Sequence, residues 1–280
     1  MDYSKRFIVN PGQRVHLDKI DPGYTAKHAY KANTREEIRQ DSARLRELQY
    51  LLYAENRRGL LICLQAMDTG GKDGAIRHVL GYMNPQSCRV HAFKTPTAQE
   101  AAHDFLWRIH KVAPARGEVM IFNRSHYEDV LVVRVHNLVD KAVWSARYDA
   151  INAFERHLTG NGVHILKFFL HISKEEQLRR FKKRLDDPRR QWKISEADYR
   201  ERGYWDDYQR AYEDALSRCS TEHAPWFIIP ADHKWFRNLA ISRIVVEYLD
   251  GLGMRFPQST LDLEHIREEY HSAEREAEDS

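Results

Sequence analysis

Residues 61–76 of the chain read LICLQAMDTGGKDGAI, and this stretch decides the fold. An apolar run is followed by two glycines and then by a segment that can open a helix, which predicts a buried strand, a tight turn and a helix. The order nearly matches the phosphate-binding loop G-x-x-x-x-G-K-S/T. Gly71 and Lys72 fit that pattern, whereas Ala66 stands in place of the first glycine and Asp73 in place of the hydroxyl residue.

The glycine loop, defined here as residues 68–73, is expected to bind phosphate. The backbone N–H groups of Thr69, Gly70 and Gly71 can point at an anion, and the dipole of the following helix adds to this effect. Lys72 supplies a full positive charge. An ordinary strand–helix turn is the alternative, but a Gly-Gly-Lys sequence that follows an all-apolar strand favours phosphate binding.

Two carboxylates in the same loop need another explanation, because a loop that holds anions should avoid negative charge. Asp68 is predicted to hold a magnesium ion or to orient an acceptor phosphate, since Mg²⁺ prefers carboxylate, water and phosphate oxygens together. Asp73 can take part in the phosphate site, or it can be a first-turn helix residue that the helix dipole favours. Solvent exposure without a function is the alternative for Asp68.

The rest of the chain alternates between apolar strand-like runs and amphipathic helix-like runs. Each strand is apolar throughout, which is typical of a parallel sheet that is covered on both faces. The sequence therefore predicts an α/β fold with a central five-stranded parallel sheet. The predicted strands are 60–66, 88–93, 118–122, 163–172 and 225–230, and the predicted helices are 34–58, 72–83, 97–112, 144–162, 173–185 and 235–253.

The predicted domain organisation has three parts. Residues 1–34 form an N-terminal arm, residues 35–260 form the catalytic domain, and residues 261–280 form a charged C-terminal tail. Thr34 is expected to cap the first long helix, with Glu37 completing a capping box.

A second group of polar residues follows the third predicted strand. The strand runs directly into Asn123, Arg124, Glu128 and Asp129, and Arg134 lies a few residues further on. Because ligands of open α/β sheets bind outside the carboxyl ends of the strands, this group should face the same crevice as the glycine loop. Glu128 or Asp129 could complete a metal site, and the arginines could bind phosphate oxygens. A surface turn whose charges pair with each other is the alternative.

A third group is a dense run of basic residues over 179–193, which includes Arg184 and Lys193. Charge runs are usually solvated helix faces. Here the sequence Asp187-Pro188 interrupts the helix and aromatic residues follow, so the segment at about 184–210 is predicted to be a lid that closes over a polyanion and excludes water.

The bulk composition excludes several classes of protein. The 280 residues carry a formal net charge of +3, which does not by itself predict a nucleic-acid partner. No apolar run approaches the roughly 20 residues that span a bilayer, and no apolar signal core is present. Three cysteines suggest no disulfide framework, and neither H-E-x-x-H nor Cys-x-x-Cys occurs. A cytoplasmic protein with no membrane partner and no zinc site is expected.

Five blocks of the sequence together resemble the family-2 polyphosphate kinases, specifically their class III branch. The resemblance runs from about residue 30 to residue 255 and implies a P-loop kinase-like three-layer sandwich, related to thymidylate kinases, with a helical lid. It also implies phosphoryl transfer between inorganic polyphosphate and nucleotides with Mg²⁺, for which Mn²⁺ is an alternative. The blocks are LQAMDTGGKDGAI, HDFLWRIH, IFNRSHYEDVLVVRV, LDDPRRQWKIS and APWFIIPADHKWFRNL.

The resemblance assigns roles to particular residues. Asp68, Gly71 and Lys72 match the first phosphate motif of the family, which has an aspartate in this loop. Arg124 matches the arginine at the strand end, and Asp129 is similar to the second-motif aspartate of class III. The implied catalytic residues are therefore Asp68, Lys72, Arg124 and Asp129, with Asp68 and Asp129 as the metal ligands.

The same resemblance assigns residues to the nucleotide site and to the lid. Glu128 matches the acidic residue linked to accepting AMP as well as ADP. Asn123 is assigned to the nucleotide site. It replaces an aspartate found in other branches, so this chain has one carboxylate fewer at this position to bind the metal. Arg184 and Lys193 fall in the lid block and, with Arg134, are expected to bind phosphate.

The expected reaction is reversible transfer from polyphosphate to AMP, giving ADP, and to ADP, giving ATP. GDP and GTP are further candidate nucleotides, and the resemblance suggests a homo-oligomer, either a dimer or a tetramer. Two other functions stay open on the sequence alone. One is an ATP-dependent nucleoside monophosphate kinase of the thymidylate-kinase type, and the other is a non-catalytic basic protein that binds nucleic acid.

Overall fold

The computed structural model of the protein describes residues 2–26 and 31–278. One sheet lies at the centre, and every strand pair in it is parallel. The strand order is β2-β3-β1-β4-β5. The strands are β1 Gly59–Ala66, β2 Cys88–Ala92, β3 Val119–Asn123, β4 Val163–His171 and β5 Trp226–Pro230. The predicted five-stranded parallel sheet is therefore confirmed, with strand ends that differ by at most one residue.

Helices connect the strands, as the parallel topology requires. The described residues form α1 Tyr3–Phe7, α2 Lys31–Glu55, α3 Lys72–His78, α4 Ala98–Ala101, α5 Trp107–His110, α6 Val132–Val135, α7 Lys141–Gly160, α8 Lys174–Leu185, α9 Glu196–Gly203, α10 Trp205–Cys219, α11 Lys234–Gly251 and α12 Leu263–Glu278.

Three details of the predicted helices are wrong. The helix expected over 72–83 ends at His78 and is followed by a separate 3-10 turn, Leu80–Tyr82. The helix expected over 97–112 is split into α4 and α5, because Asp104 Oδ1 accepts a hydrogen bond from the backbone N–H of Leu106 at 3.0 Å and so forms a local turn in place of a helical one. Thr34 is not a helix cap, because α2 begins at Lys31 and Thr34 is fully buried inside it.

Both faces of the sheet are covered. Alternate residues of β1 point to opposite sides, as the pleat of a strand dictates. Leu60, Ile62 and Leu64 belong to one apolar cluster, and Leu61 and Cys63 belong to the other. The first cluster includes side chains of α2, α10 and α11, and the second includes side chains of α5 and α7. Burial on both faces explains why the strands have no polar alternation.

The described part of the expected arm, residues 2–26, packs on the main body of the protein. Tyr3, Phe7 and Leu17 are buried, and the backbone N–H of Val9 donates to Trp226 O at 2.8 Å. This contact covers the outer edge of β5, where unpaired backbone groups would otherwise be open to another chain. Residues 27–30 of the expected arm lie outside the described residues. The division of the chain into arm, catalytic domain and tail stays a prediction.

The C-terminal segment forms the exposed helix α12. Among the residues that the structure describes, no helix combines the length and the apolar character that crossing a bilayer would require.

Candidate functional site

The candidate site lies where the polar segments after β1 and β3 meet. These two strands are neighbours, with Leu64 opposite Asn123 in the register. The backbone N–H of Arg124 donates to Leu64 O at 3.1 Å, so the pairing continues to the end of both strands. Because parallel strands end at the same edge of a sheet, the glycine loop and the segment 123–129 lie side by side.

The conformation of the glycine loop explains its two glycines. Gly71 has a φ of 108°, in the left-handed region that favours glycine. A Cβ on Gly71 would lie 1.9 Å from Arg237 Nη1, and a Cβ on Gly70 would lie 2.4 Å from the Cβ of Ala66. Neither position could accept a side chain without rearrangement. Thr69 also has a positive φ, of 61°, which marks the loop as a tight turn.

Lys72 folds back over the loop from the first turn of α3. Its Nζ donates to Ala66 O at 3.1 Å. Desolvation lowers the pKa of Lys72, and the neighbouring Arg124 lowers it further, whereas Asp68 and Glu128 oppose the shift. The ammonium group is therefore poorly compensated, and an anion bound in the loop would stabilise its charge.

Asp68 faces the second polar group, as the sequence predicted for a shared crevice. Arg124 Nη2 donates to Asp68 Oδ1 at 3.4 Å, and Arg124 Nη1 lies 3.9 Å from Glu128 Oε2. The structure brings these three side chains and Lys72 together. Asp68 Oδ2 accepts no hydrogen bond from the described residues, so this oxygen can serve a cation. The donor set fits a hard divalent cation, which usually takes one or two carboxylates together with substrate phosphates.

Asp73 joins the glycine loop to two other predicted residues. Asn123 Nδ2 donates to Asp73 Oδ1 at 2.9 Å, and Lys193 Nζ lies 3.9 Å from Asp73 Oδ2. Lys193 comes from the segment predicted to be a lid, which in this structure reaches the mouth of the crevice.

Asp129 has a different environment from Asp68. Arg147 Nη1 donates to both Asp129 Oδ1 and Asp129 O at 3.0 Å, and Arg108 Nη2 lies 3.8 Å from Asp129 Oδ2. Burial raises the pKa of Asp129, and the two arginines oppose this shift. In this state the carboxylate is engaged by guanidinium groups. The assignment of Asp129 as a second metal ligand stays a prediction.

Two predicted phosphate-binding residues have protein partners elsewhere. Arg134 Nη1 lies 2.5 Å from Asp214 Oδ2 and 3.3 Å from the hydroxyl of Tyr148. Arg184 Nη1 donates to Lys193 O at 2.8 Å. The contacts of Arg134 tie α6 to α10, and the contact of Arg184 joins α8 to the segment predicted to be a lid. Their roles as phosphate ligands stay predictions.

Three residues that contact the glycine loop were not assigned to it from the sequence, although Arg180 belongs to the basic run over 179–193. Gln177 Nε2 donates to Asp68 O at 3.1 Å, and Arg180 Nη1 donates to Thr69 O at 2.8 Å. Arg237 packs against Gly71 and Gly74. One signal was available for Arg237, because it follows β5, whose carboxyl end points to the same edge of the sheet as that of β1.

A buried ionic network supports the segment after β3. Lys167 Nζ of β4 donates to Glu155 Oε2 of α7 at 2.6 Å and to the hydroxyl of Tyr127 at 2.8 Å. His126 Nε2 lies 3.1 Å from Glu155 Oε1. The side chains of these four residues are fully buried. The network fixes the backbone of the two residues that precede Glu128 and Asp129.

His16, Asp18 and Glu213 form another group that could hold a cation, with ligand atoms within 4.8 Å of one another. Glu213 Oε1 already accepts the backbone N–H of Leu17 at 2.7 Å, and Asp18 is exposed. The group links the N-terminal segment to α10.

Comparisons with known proteins agree on one family. The family model described as Polyphosphate kinase 2 (PPK2) matches residues 28–256. The AMP/ADP-polyphosphate phosphotransferase of Meiothermus ruber is 51% identical over 263 residues, which cover 94% of this chain and 98% of the relative. The ADP-polyphosphate phosphotransferase of Rhodopseudomonas palustris is 46% identical, with 92% and 93% covered. The crystal structure of polyphosphate kinase 2 from Arthrobacter aurescens superposes with a TM-score of 0.93 at 43% identity and covers 97% of each chain.

Proposed function

Because the chain belongs to the polyphosphate kinase 2 family and is an enzyme, a polyphosphate kinase, we propose that it transfers phosphoryl groups from inorganic polyphosphate to AMP and ADP. ADP and ATP are the proposed products, and the reaction is proposed to be reversible. The observation that carries the proposal is the convergence of Lys72, Arg124, Asp68 and Glu128 at one edge of the sheet.

The proposed roles follow from the charges of the substrates. Both substrates are polyanions, and a nucleotide phosphate is already ionised near neutral pH, so no strong general base is needed. Catalysis then depends on positioning and on charge neutralisation, as is general for phosphoryl transfer. Lys72 and Arg124 are proposed to bind the transferred phosphoryl group. Glu128, which lies beside Arg124, is proposed to act on the nucleotide side.

The family implies a divalent metal, and we propose Mg²⁺ with Mn²⁺ as a substitute. When bound, such a cation neutralises phosphate charge and orients phosphate oxygens. Asp68 is the proposed first ligand. Asp129 is proposed as a second ligand once its carboxylate turns away from Arg147, which can keep its hydrogen bond to the Asp129 carbonyl oxygen. A cytoplasmic location, a homo-oligomeric state and the use of GDP stay predictions.

A phosphotransfer assay tests the proposal. The purified protein is incubated with long-chain polyphosphate and AMP or ADP, with and without Mg²⁺, and nucleotides are separated by chromatography. Formation of ADP and ATP that requires polyphosphate supports the proposal. Phosphorylation of AMP by ATP, with none by polyphosphate, would instead identify a nucleoside monophosphate kinase and overturn it.

A further inference from the structure

Arg237 is a buried cation that the proposed mechanism does not use. It lies in the first turn of α11, its side chain is 1% exposed, and its Nη2 and Nε donate to Asn238 Oδ1 at 2.7 and 3.1 Å. No carboxylate among the described residues forms an ion pair with it. A buried charge without a counter-ion is destabilising, and a bound anion would supply the missing counter-charge.

A second guanidinium lies beside it. Arg180 is 6% exposed, and a Cβ on Gly71 would lie 3.6 Å from Arg180 Nη1 as well as 1.9 Å from Arg237 Nη1. Both groups therefore converge on the same face of the glycine loop. Arg180 Nε donates to Glu176 Oε1 at 2.6 Å, and Glu176 is shared with Arg179, so Arg180 is compensated at most by this one carboxylate. The pair of arginines thus retains one uncompensated charge next to Gly71.

The positive charge continues outward to the protein surface. Lys234 is the first residue of α11 and is exposed, and because it lies three residues before Arg237 the two side chains are on the same face of the helix. Its pKa is lowered to about 8 by desolvation and by cations alone, namely Arg180, Arg237, Lys183 and Arg190. The pKa of Arg237 is lowered to about 9 by desolvation and by Arg180. Mutual repulsion of this kind is relieved when a polyanion binds between the cations.

We propose that Arg237, Arg180 and Lys234 form a subsite for the part of the polyphosphate chain beyond the transferred phosphoryl group. The inference rests on the proposed function and adds the path of the donor. Lys72 and Arg124 lie on the Asp68 side of the glycine loop, whereas this cationic group contacts Gly71 and Gly74 and runs from the buried loop to the surface. The phosphates of a linear polyanion can each contact one of these cations. The base and sugar of a nucleotide donor carry no negative charge and would find no partner there.

The test compares donors of different length in the same enzyme. Lys234→Ala and Arg237→Met are assayed with AMP, using tripolyphosphate or long-chain polyphosphate, and equilibrium binding of long-chain polyphosphate is measured in parallel. Lys234→Ala is expected to raise the KM for long-chain polyphosphate about tenfold and to leave the KM for tripolyphosphate unchanged. Arg237→Met, nearer to the loop, is expected to raise both. The matched control is Lys111→Ala, which removes an exposed lysine that stacks on Trp107.

The outcomes separate the subsite from the proposed function. If the wild-type protein uses polyphosphate and Lys234→Ala has unchanged KM and binding for every length, the subsite is wrong and the proposed function stands. If the wild-type protein transfers no phosphoryl group from any polyphosphate, the proposed function is wrong, and the binding measurement alone then decides whether this surface binds the polyanion. If Arg237→Met fails to fold, which thermal unfolding detects, the comparison of Lys234→Ala with Lys111→Ala decides.

Discussion

Lys72 is the residue on which the charge balance of the glycine loop depends. Its ammonium group donates to Ala66 O, and desolvation together with the neighbouring Arg124 lowers its pKa. Two cations this close are unfavourable without an anion, and the nearby carboxylates of Asp68 and Glu128 compensate them only in part. Bound phosphate would complete the balance, which explains how a loop with its own carboxylate can still attract a polyanion.

Replacement of Lys72 by Met tests this residue. The thioether keeps most of the apolar stem and removes the charge, so kcat should fall about 10²–10³-fold, the usual effect of losing one preorganised donor to a developing charge. Initial rates with AMP and long-chain polyphosphate measure the loss. Circular dichroism should show an unchanged fold, and Lys111→Met serves as the control for loss of charge. Near-normal turnover in Lys72→Met would contradict the assignment.

The roles of Asp129 and Arg147 can be distinguished by how the activity of their variants depends on the Mg²⁺ concentration. If Asp129 turns to the metal in the active state, Asp129→Asn should raise the half-saturating Mg²⁺ concentration about tenfold, because a neutral amide is a poorer ligand for a hard cation. Arg147→Gln should lower that concentration, because it removes the guanidinium group that competes with the cation for the Asp129 carboxylate. Titration of activity with Mg²⁺ at saturating substrate gives the answer. Equal loss of activity in both variants, at an unaltered Mg²⁺ requirement, would mean that Asp129 only holds the arginine.

Among the elements, β4 and α7 are joined by the Lys167–Glu155 ion pair, and the hydroxyl of Tyr127, hydrogen-bonded to both side chains, connects them to the segment after β3. A fully buried pair is sensitive to the loss of one partner, because the other charge is left without compensation. The pair thus links the packing of two elements to the position of Glu128 and Asp129.

Lys167→Met should lower the free energy of unfolding by roughly 3–5 kcal/mol. Urea denaturation followed by circular dichroism measures the change. The double variant Lys167→Met/Glu155→Leu should recover part of the loss, since it removes both charges and not one. A single variant as stable as the wild type would show that the pair contributes little to the position of these elements.

For the whole molecule, the cationic group around Arg237 links anion binding to stability and to pH. The folded-state pKa values of Lys234 and Arg237 lie below their ordinary values. The folded protein without an anion therefore gives up these protons more readily than the unfolded chain, and this contribution to stability rises with pH from about 8 upward. Bound polyphosphate would favour the charged forms of Lys234 and Arg237 and raise their pKa values again.

Long-chain polyphosphate should raise the Tm of the wild-type protein, and the rise should shrink as pH increases from 7 through 9. A ligand at 100 times its Kd stabilises a protein by about 2.7 kcal/mol, so the effect is measurable. The interior phosphates of a long chain stay ionised over this range, so the change reports on the protein. Thermal scans at pH 7, 8 and 9 should show a flatter dependence for Lys234→Ala. An identical pH dependence of the Tm rise in both proteins would contradict the proposed coupling between polyphosphate binding and the ionisation of Lys234.

Much of the fold and part of the candidate site could be read from local patterns. Apolar runs identified all five strands, because strands buried on both faces consist of consecutive apolar residues. The stretch 61–76 identified the loop, because a tight turn requires neighbouring glycines. The expectation that Asp68 and Arg124 share a crevice followed from one rule, that parallel strands end at the same edge. The split at Asp104 was missed, because a single side-chain turn outweighed the helical pattern around it.

Contacts between distant residues were decided only by the tertiary structure. Nothing near Asp129 in the sequence shows that Arg108 and Arg147 meet its carboxylate, and nothing near Gly71 shows that Arg237 packs on it from α11. The sequence by itself determined which segments become strands, which of them is followed by a glycine turn and which residue types stand at the strand ends. The order of the strands and the partner of each charge required the folded chain, because ion pairs depend on distance in space and not on distance along the sequence.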